Sequence, residues 1–261
     1  MIYIAFIIFT LFILAFAFYQ WQYFMVFSPT FYREEDLCEQ CSILSITTKD
    51  KKELEGALYE PQNPLNTLLV FVGRSHDAVA LINKLAQIYP STRIITFNYR
   101  SYGRSEGKIS EKNLYEDALL IGELVQKNYG DFYLLGFSLG SSIAAYLASK
   151  HSVKALFLLG AFDSIASLAK GKFVQRSFFP NIDLSSIFRY KFKTIEYVQN
   201  VDAPTYLFVS KDDEITYIEN GRALKEKIKN LKLYKELDKL SHKEILWDKT
   251  VISTISKEIQ K

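Results

Sequence analysis

The sequence predicts an α/β protein, a mostly parallel sheet with helices on both faces, preceded by an apolar helix. Three observations lead there. From about residue 42 onward, short apolar runs alternate with stretches of helical periodicity, the pattern of parallel strands joined by helical crossovers. Residues 1–32 contain no Lys, Arg, Asp or Glu, while charge is dense from Arg33 on. Gly136-Phe137-Ser138-Leu139-Gly140 stands between an apolar run and a helix rich in small residues.

Taken in order, residues 1–18 are almost wholly apolar, and that character continues with interruptions to Phe27. About 20 apolar residues are enough to cross a hydrocarbon core. Tyr19, Trp21 and Tyr23 follow where an aromatic interface belt belongs. A cleaved signal peptide would carry a positive n-region and a small-residue cleavage site, and neither is visible. The reading is therefore a single-pass anchor over 1–27, a juxtamembrane linker over 28–41 and one domain over 42–261. Arg33 is surrounded by Glu34, Glu35 and Asp36, so charge does not fix the membrane face. Cys38 and Cys41 form a C-x-x-C too small for a four-ligand zinc site. An inert surface pair is the preferred reading, with a local disulfide the alternative in an oxidising compartment.

Residues 42–50 and 54–60 read as β-structure joined by a charged turn. TLLVFVG (67–73), RIITFNY (93–99), DFYLLGF (131–137), KALFLLG (154–160) and PTYLFVS (204–210) read as strands buried on both faces. Helical periodicity spans 77–89, 111–129 with Ser110 as N-cap, 142–150 and 218–230. A short strand at 232–237 and a last helix from about 243 complete the chain. Between residues 161 and 203 the alternation breaks, around Phe178, Phe179 and Pro180, which predicts a small lid-like insertion.

With 32 basic and 29 acidic side chains the net charge is +3, and no basic run with interleaved aromatics suggests a nucleic-acid partner. No cluster resembles a metal site, and no glycine-rich loop follows the first strand, so no metal or cofactor is expected.

The G-x-S-x-G run supplies the chemistry. A strand-to-helix turn this tight strains the serine backbone, and the flanking glycines let neighbouring backbone approach. The helix that follows aims its N-terminal N–H groups at the place where negative charge develops. A serine hydroxyl needs a base to remove its proton. Of the three histidines, only His242 lies beyond every candidate acid, in a loop after the last strand. The acid should follow a strand end and hold the imidazole in the correct tautomer. Asp212, Asp213 and Glu214 all follow PTYLFVS, and spacing does not separate Asp212 from Asp213. His151, after the helix that follows Ser138, reads as structural.

From Phe71 to His242 the chain resembles the α/β-hydrolase superfamily. Asn98-Tyr99-Arg100-Ser101-Tyr102-Gly103-Arg104-Ser105-Glu106-Gly107 is similar to the D-Y-R-G-Y-G-x-S-x-G loop of one branch, and Ser110–Ala118 fits the same branch. That branch contains single-pass, membrane-anchored hydrolases, including enzymes that remove palmitate from proteins. Its acid stands three residues after a glycine in G-x-x-D-x-[VI]. Ser210 takes the glycine position here, and the match selects Asp213. The resemblance also implies an oxyanion hole made from the N–H groups of Leu139 and of Arg74, in the loop after the 67–73 strand. The family shows H-G-x there, and this chain has Val72-Gly73-Arg74. Gly73, Arg74 and His76 are candidate substrate contacts, and Arg100 or Arg104 could line the site. The expectation is a serine hydrolase of esters or thioesters with a lipid-like or protein-borne acyl group. A peptidase of the same fold, or a scaffold that lost activity, are the alternatives.

Overall fold

The computed structural model describes residues 2–31, 37–174 and 186–261. Eight strands form one sheet: β1 (Cys41–Thr47), β2 (Glu53–Tyr59), β3 (Asn66–Phe71), β4 (Thr92–Phe97), β5 (Phe132–Phe137), β6 (Leu156–Leu159), β7 (Thr205–Ser210) and β8 (Leu231–Leu237). Their spatial order is β1-β2-β4-β3-β5-β6-β7-β8. The β1–β2 and β2–β4 pairings are antiparallel, and the rest are parallel. The continuous apolar runs form the inner strands. Every residue of β5, β6 and β7 is buried, as expected where helices cover both faces. At the sheet edge β1 leaves most of its side chains at the surface.

The helices are α1 (Ile2–Val26), α2 (Ile82–Ile88), α3 (Glu111–Tyr129), α4 (Leu139–Ala148), α5 (Ile165–Val174), α6 (Thr194–Tyr197), α7 (Ile218–Lys225) and α8 (Lys249–Ile259). Helix α3 has the predicted bounds and cap, with Ser110 Oγ accepting from the Asn113 N–H at 3.2 Å. Four elements differ from their sequence reading. Residues 77–81 form turns ahead of α2, because Asp77 Oδ1 accepts from the N–H groups of Val79 and Ala80 at 3.1 and 3.4 Å and competes with helix formation. Helix α4 starts at Leu139, directly after the serine, rather than at 142. Helix α7 ends at Lys225, because the chain must reach β8, where Asn230 already accepts from the Thr205 N–H at 2.9 Å. The last helical stretch is two elements, a 3₁₀ turn over His242–Trp247 and then α8. They part at Asp248, whose carboxylate accepts from the N–H groups of Thr250 and Val251.

Among its described residues the 161–203 insertion holds the α-helices α5 and α6, which hydropathy alone did not reveal. Phe178, Phe179 and Pro180 lie outside the described residues. Cys38 and Cys41 are joined by a disulfide with Cα atoms 5.0 Å apart, against the preferred reading of an inert pair. A turn closed by the Cys41 N–H on the Cys38 carbonyl, at 2.8 Å, brings the two sulfurs together.

Helix α1 is long and apolar enough to cross a membrane. Its side chains from Ile2 to Trp21 are exposed, whereas Gln22, Val26 and the following Phe27 are buried at 1–3% exposure. Its end is packed into the domain. Phe27 lies edge-on to Tyr190 with centroids 4.8 Å apart. The Gln22 side chain donates to the Ile187 carbonyl at 3.3 Å and accepts from the Arg189 N–H at 2.6 Å.

Candidate active site

Ser138 sits between β5 and α4 with φ +55° and ψ −120°, a backbone region that costs a non-glycine residue of order 1–3 kcal/mol. The neighbours that permit it lack side chains. A Cβ on Gly140 would fall 2.1 Å from the Phe71 carbonyl oxygen, and one on Gly136 would fall 2.4 Å from the Gly140 oxygen. The Ser138 N–H donates to the Leu159 carbonyl at 2.9 Å, and its own carbonyl accepts from Ser141 Oγ at 2.6 Å. The turn is therefore held on both sides.

Three residues scattered along the sequence meet there. His242 Nε2 lies 2.7 Å from Ser138 Oγ, and His242 Nδ1 lies 2.7 Å from Asp213 Oδ2. All three are buried. Burial alone would raise the Asp213 pKa, but the hydrogen bond and charge of His242, with the Thr216 hydroxyl and N–H, outweigh it and hold the carboxyl below its ordinary range. An ionised Asp213 keeps the proton on Nδ1, so Nε2 accepts from the serine hydroxyl. An imidazole so placed is the arrangement in which a hydroxyl loses its proton to a base.

The structure separates the three carboxylates that spacing left together. Asp213 faces the imidazole and also accepts at Oδ1 from the N–H groups of Ile215 and Thr216 at 2.8 and 2.7 Å. Asp212 accepts from the Lys239 N–H at 2.7 Å, and Glu214 accepts from the His242 N–H at 3.0 Å. Ser210, at the family's glycine position, donates to the Leu240 carbonyl at 2.6 Å and ties the end of β7 to the histidine loop. Phe137 stacks on the His242 ring with centroids 5.0 Å apart. Thr216 escaped the sequence reading although its hydroxyl lies 2.6 Å from Asp213 Oδ2 and 3.3 Å from His242 Nδ1. Its place three residues after the acid was the available signal.

The loop after β3 has lost the family's histidine and is braced by two tyrosines instead. The Tyr99 hydroxyl donates to the Val72 carbonyl at 2.6 Å, and the Tyr102 hydroxyl donates to the Arg74 carbonyl at 2.5 Å. Tyr102 Oη also accepts from the Ser28 N–H at 2.9 Å. The Arg74 guanidinium turns to the end of α1, donating to the carbonyls of Phe24 and Met25. His76 packs edge-on to Phe137 at 5.7 Å, and its Nδ1 has no hydrogen-bond partner among the described residues. Burial pushes its pKa down. Gly73 is close-packed, with a Cβ there reaching 3.2 Å from both His76 and Phe137. Arg100 is buried in an ion pair with Asp117 at 2.8 Å and Asp50 at 2.6 Å, a brace rather than a wall of the site. The Arg104 N–H donates to Glu55 Oε2 at 2.9 Å.

A cavity of about 310 Å³ opens beside Ser138. Leu139, Arg74, Phe162, Ile215 and Thr216 border it near the serine. Ile165, Leu168 and Ala169 of α5 and Trp21, Phe24, Met25 and Val26 of α1 also line it.

A model of the alpha/beta hydrolase fold matches residues 71–192, the segment that carries the elbow, the tyrosine-braced loop and part of the insertion. The chain has the α/β-hydrolase fold. This hydrolase is similar to the lysophosphatidylserine lipase ABHD12 of Macaca fascicularis, 30% identical over 145 residues, which cover 50% of the chain and 36% of the lipase. It is also similar to the alpha/beta hydrolase domain-containing protein aho-3 of Caenorhabditis elegans, 26% identical over 203 residues, covering 75% of the chain and 58% of that protein. The chain thus spans between about a third and three fifths of these relatives. Among solved structures, the Pyrococcus furiosus esterase Pf2001 superimposes with a TM-score of 0.67 at 17% identity, covering 89% of this chain and 95% of the esterase. At that identity the likeness concerns the fold.

Proposed function

We propose that this α/β hydrolase is a membrane-anchored serine hydrolase that cleaves carboxyl esters or thioesters with an apolar acyl part. The observation that carries the reading is the unbroken hydrogen-bonded chain Ser138–His242–Asp213 beside an apolar cavity. Ser138 is the nucleophile, His242 the base and Asp213 the residue that fixes and charges the imidazole. As Oγ bonds to the substrate carbonyl carbon, its proton passes to Nε2. The tetrahedral oxygen accepts from the backbone N–H groups of Leu139 and Arg74, both beside the cavity. Collapse expels the alcohol or thiol, which leaves with the proton from His242, and water repeats the sequence on the acyl-enzyme.

Two observations support the substrate class and the anchor. Near Ser138 the cavity is bordered chiefly by aliphatic and aromatic side chains, which suits an acyl chain better than a peptide. Val26 and Phe27 belong to the buried core, so cleavage of a signal peptide after residue 27 would remove packed residues. The similarity to lipases named for a lysophospholipid makes a single-chain acyl ester the first substrate to try. Labelling of membranes with a fluorophosphonate probe tests the reading. Wild type should label in the membrane fraction and Ser138→Ala should not. A folded wild type that fails to label refutes the serine mechanism and brings the scaffold alternative forward.

A further inference from the structure

The geometry points to the last two turns of α1 as a wall of the acyl-binding site, with Trp21, Phe24 and Met25 setting which chains are accepted. The inference rests on the serine-hydrolase reading and goes beyond it, because an anchor needs only to hold a domain at a membrane. Here the apolar helix does more. Its C-terminal residues border the cavity together with Ile165 and Leu168 of α5. Phe24 and Trp21 line the cavity and are also 68% and 44% exposed. The part of the lining that reaches the surface on this side is therefore apolar and belongs to the helix.

The depth of that lining follows from the helix itself. Tyr19 and Trp21, both exposed, stand where an aromatic belt settles at the level of the headgroups, while Tyr23 turns toward the core at Phe27, with centroids 5.5 Å apart. The mouth beside Trp21 and Phe24 then meets the boundary between headgroups and acyl chains. A chain can pass from the lipid layer along α1 to Ser138 without crossing water, which spares the cost of hydrating its apolar surface.

The helix end is also fixed to the chemistry. The last carbonyls of a helix have no partner within it, and Arg74 supplies donors to those of Phe24 and Met25. The Arg74 backbone is the proposed second oxyanion donor. Tyr102 closes the same joint, linking the Ser28 N–H to the Arg74 carbonyl at 2.9 and 2.5 Å. The pocket wall and the oxyanion loop therefore hold one another in register.

Two measurements on the full chain in detergent micelles test the inference. The first is kcat/KM over p-nitrophenyl esters from butyrate to palmitate, read as a long-to-short ratio within each variant so that general losses cancel. Met25→Trp, which narrows the cavity, should lower that ratio about tenfold or more. Phe24→Ala, which widens the mouth, should raise it. Ratios equal to wild type in both variants overturn the inference and leave α1 a tether. The second measurement needs no variant. A fluorophosphonate with a long alkyl chain ending in a diazirine is attached to Ser138, whose Oγ displaces fluoride, and is then photolysed. Crosslinks within residues 18–31 are expected. Crosslinks found only elsewhere in the chain overturn the proposal while leaving the serine mechanism standing. A wild type that takes up no fluorophosphonate fails the underlying reading instead.

Discussion

Asp212 and Asp213 are adjacent and chemically identical, yet their surroundings give them different work. Asp213 is buried against the imidazole, while Asp212 accepts a backbone N–H at the surface. Asp213→Asn should remove the charge that fixes the imidazole tautomer and lower kcat about 10⁴-fold. Asp212→Asn should leave ester turnover near wild type, and steady-state kinetics on both variants decides the assignment. Because the folded pKa of Asp213 lies below its unfolded value, the stability it gives is present above the ordinary carboxylate range and is lost as pH falls below it. His76 has the opposite charge type but the same sign. Its folded pKa is depressed below 6.5, so below about that pH the unfolded chain binds a proton that the folded one resists, and stability falls. His76→Leu should flatten the fall in melting temperature between neutral and mildly acid pH, as thermal melts at a series of pH values would record. Spacing alone made neither of these assignments. Spacing shows that three carboxylates follow a strand, but only the packed loop shows which one is turned inward. The resemblance selected Asp213, and the structure supplies the physical reason.

At the scale of elements, the β5–turn–α4 unit was the most legible part of the chain, because a strained serine leaves its demands in the sequence as two glycines. Gly140→Ala would force a Cβ onto the Phe71 carbonyl. Overpacking of that kind typically costs about 1–3 kcal/mol, so a clear drop in melting temperature is expected together with loss of fluorophosphonate labelling. The loop after β3 was less legible. Its missing histidine left open what braces it, and the answer lay in two tyrosines of a loop that reads as plain turn chemistry. Tyr102→Phe keeps the ring and removes the hydroxyl that serves both Ser28 and Arg74. Leaving buried backbone groups unpartnered costs about 1–3 kcal/mol. The variant should melt earlier and lose kcat more than KM, since the Arg74 N–H it displaces is the proposed second oxyanion donor. Equal kcat would detach the tyrosine from the site. Helix α6 was missed because it is a single turn of 4 residues, Thr194–Tyr197, too short to show a helical period.

For the whole molecule, the charge-free start of the chain suggested an anchor set apart from a domain by a linker, and hydropathy cannot distinguish side chains destined for lipid from those destined for protein. Exposed and packed side chains lie on the same helix. Residues 2–17 present exposed side chains, whereas Gln22, Val26 and Phe27 are buried. Gln22 is the polar residue that marks the change, and its amide both donates and accepts at the segment of Ile187 and Arg189. Two truncations separate these roles. Deleting residues 2–17 should give a hydrolase that is extracted without detergent, melts near the full chain and keeps its long-to-short ester ratio, because the pocket wall survives. Deleting residues 2–27 removes a buried phenylalanine, a loss comparable to the about 3–5 kcal/mol of a Phe→Ala change in a core. It also strips Arg189 of its Gln22 partner and Arg74 of its carbonyl partners. Against a total stability of about 5–15 kcal/mol for a domain, that protein should unfold at much lower temperature or fail to accumulate. Circular-dichroism melts of the two truncated chains compare the cases directly. Equal melting temperatures would mean that the end of α1 is only laid against the hydrolase domain, whereas a large gap would mean that the domain begins inside the helix.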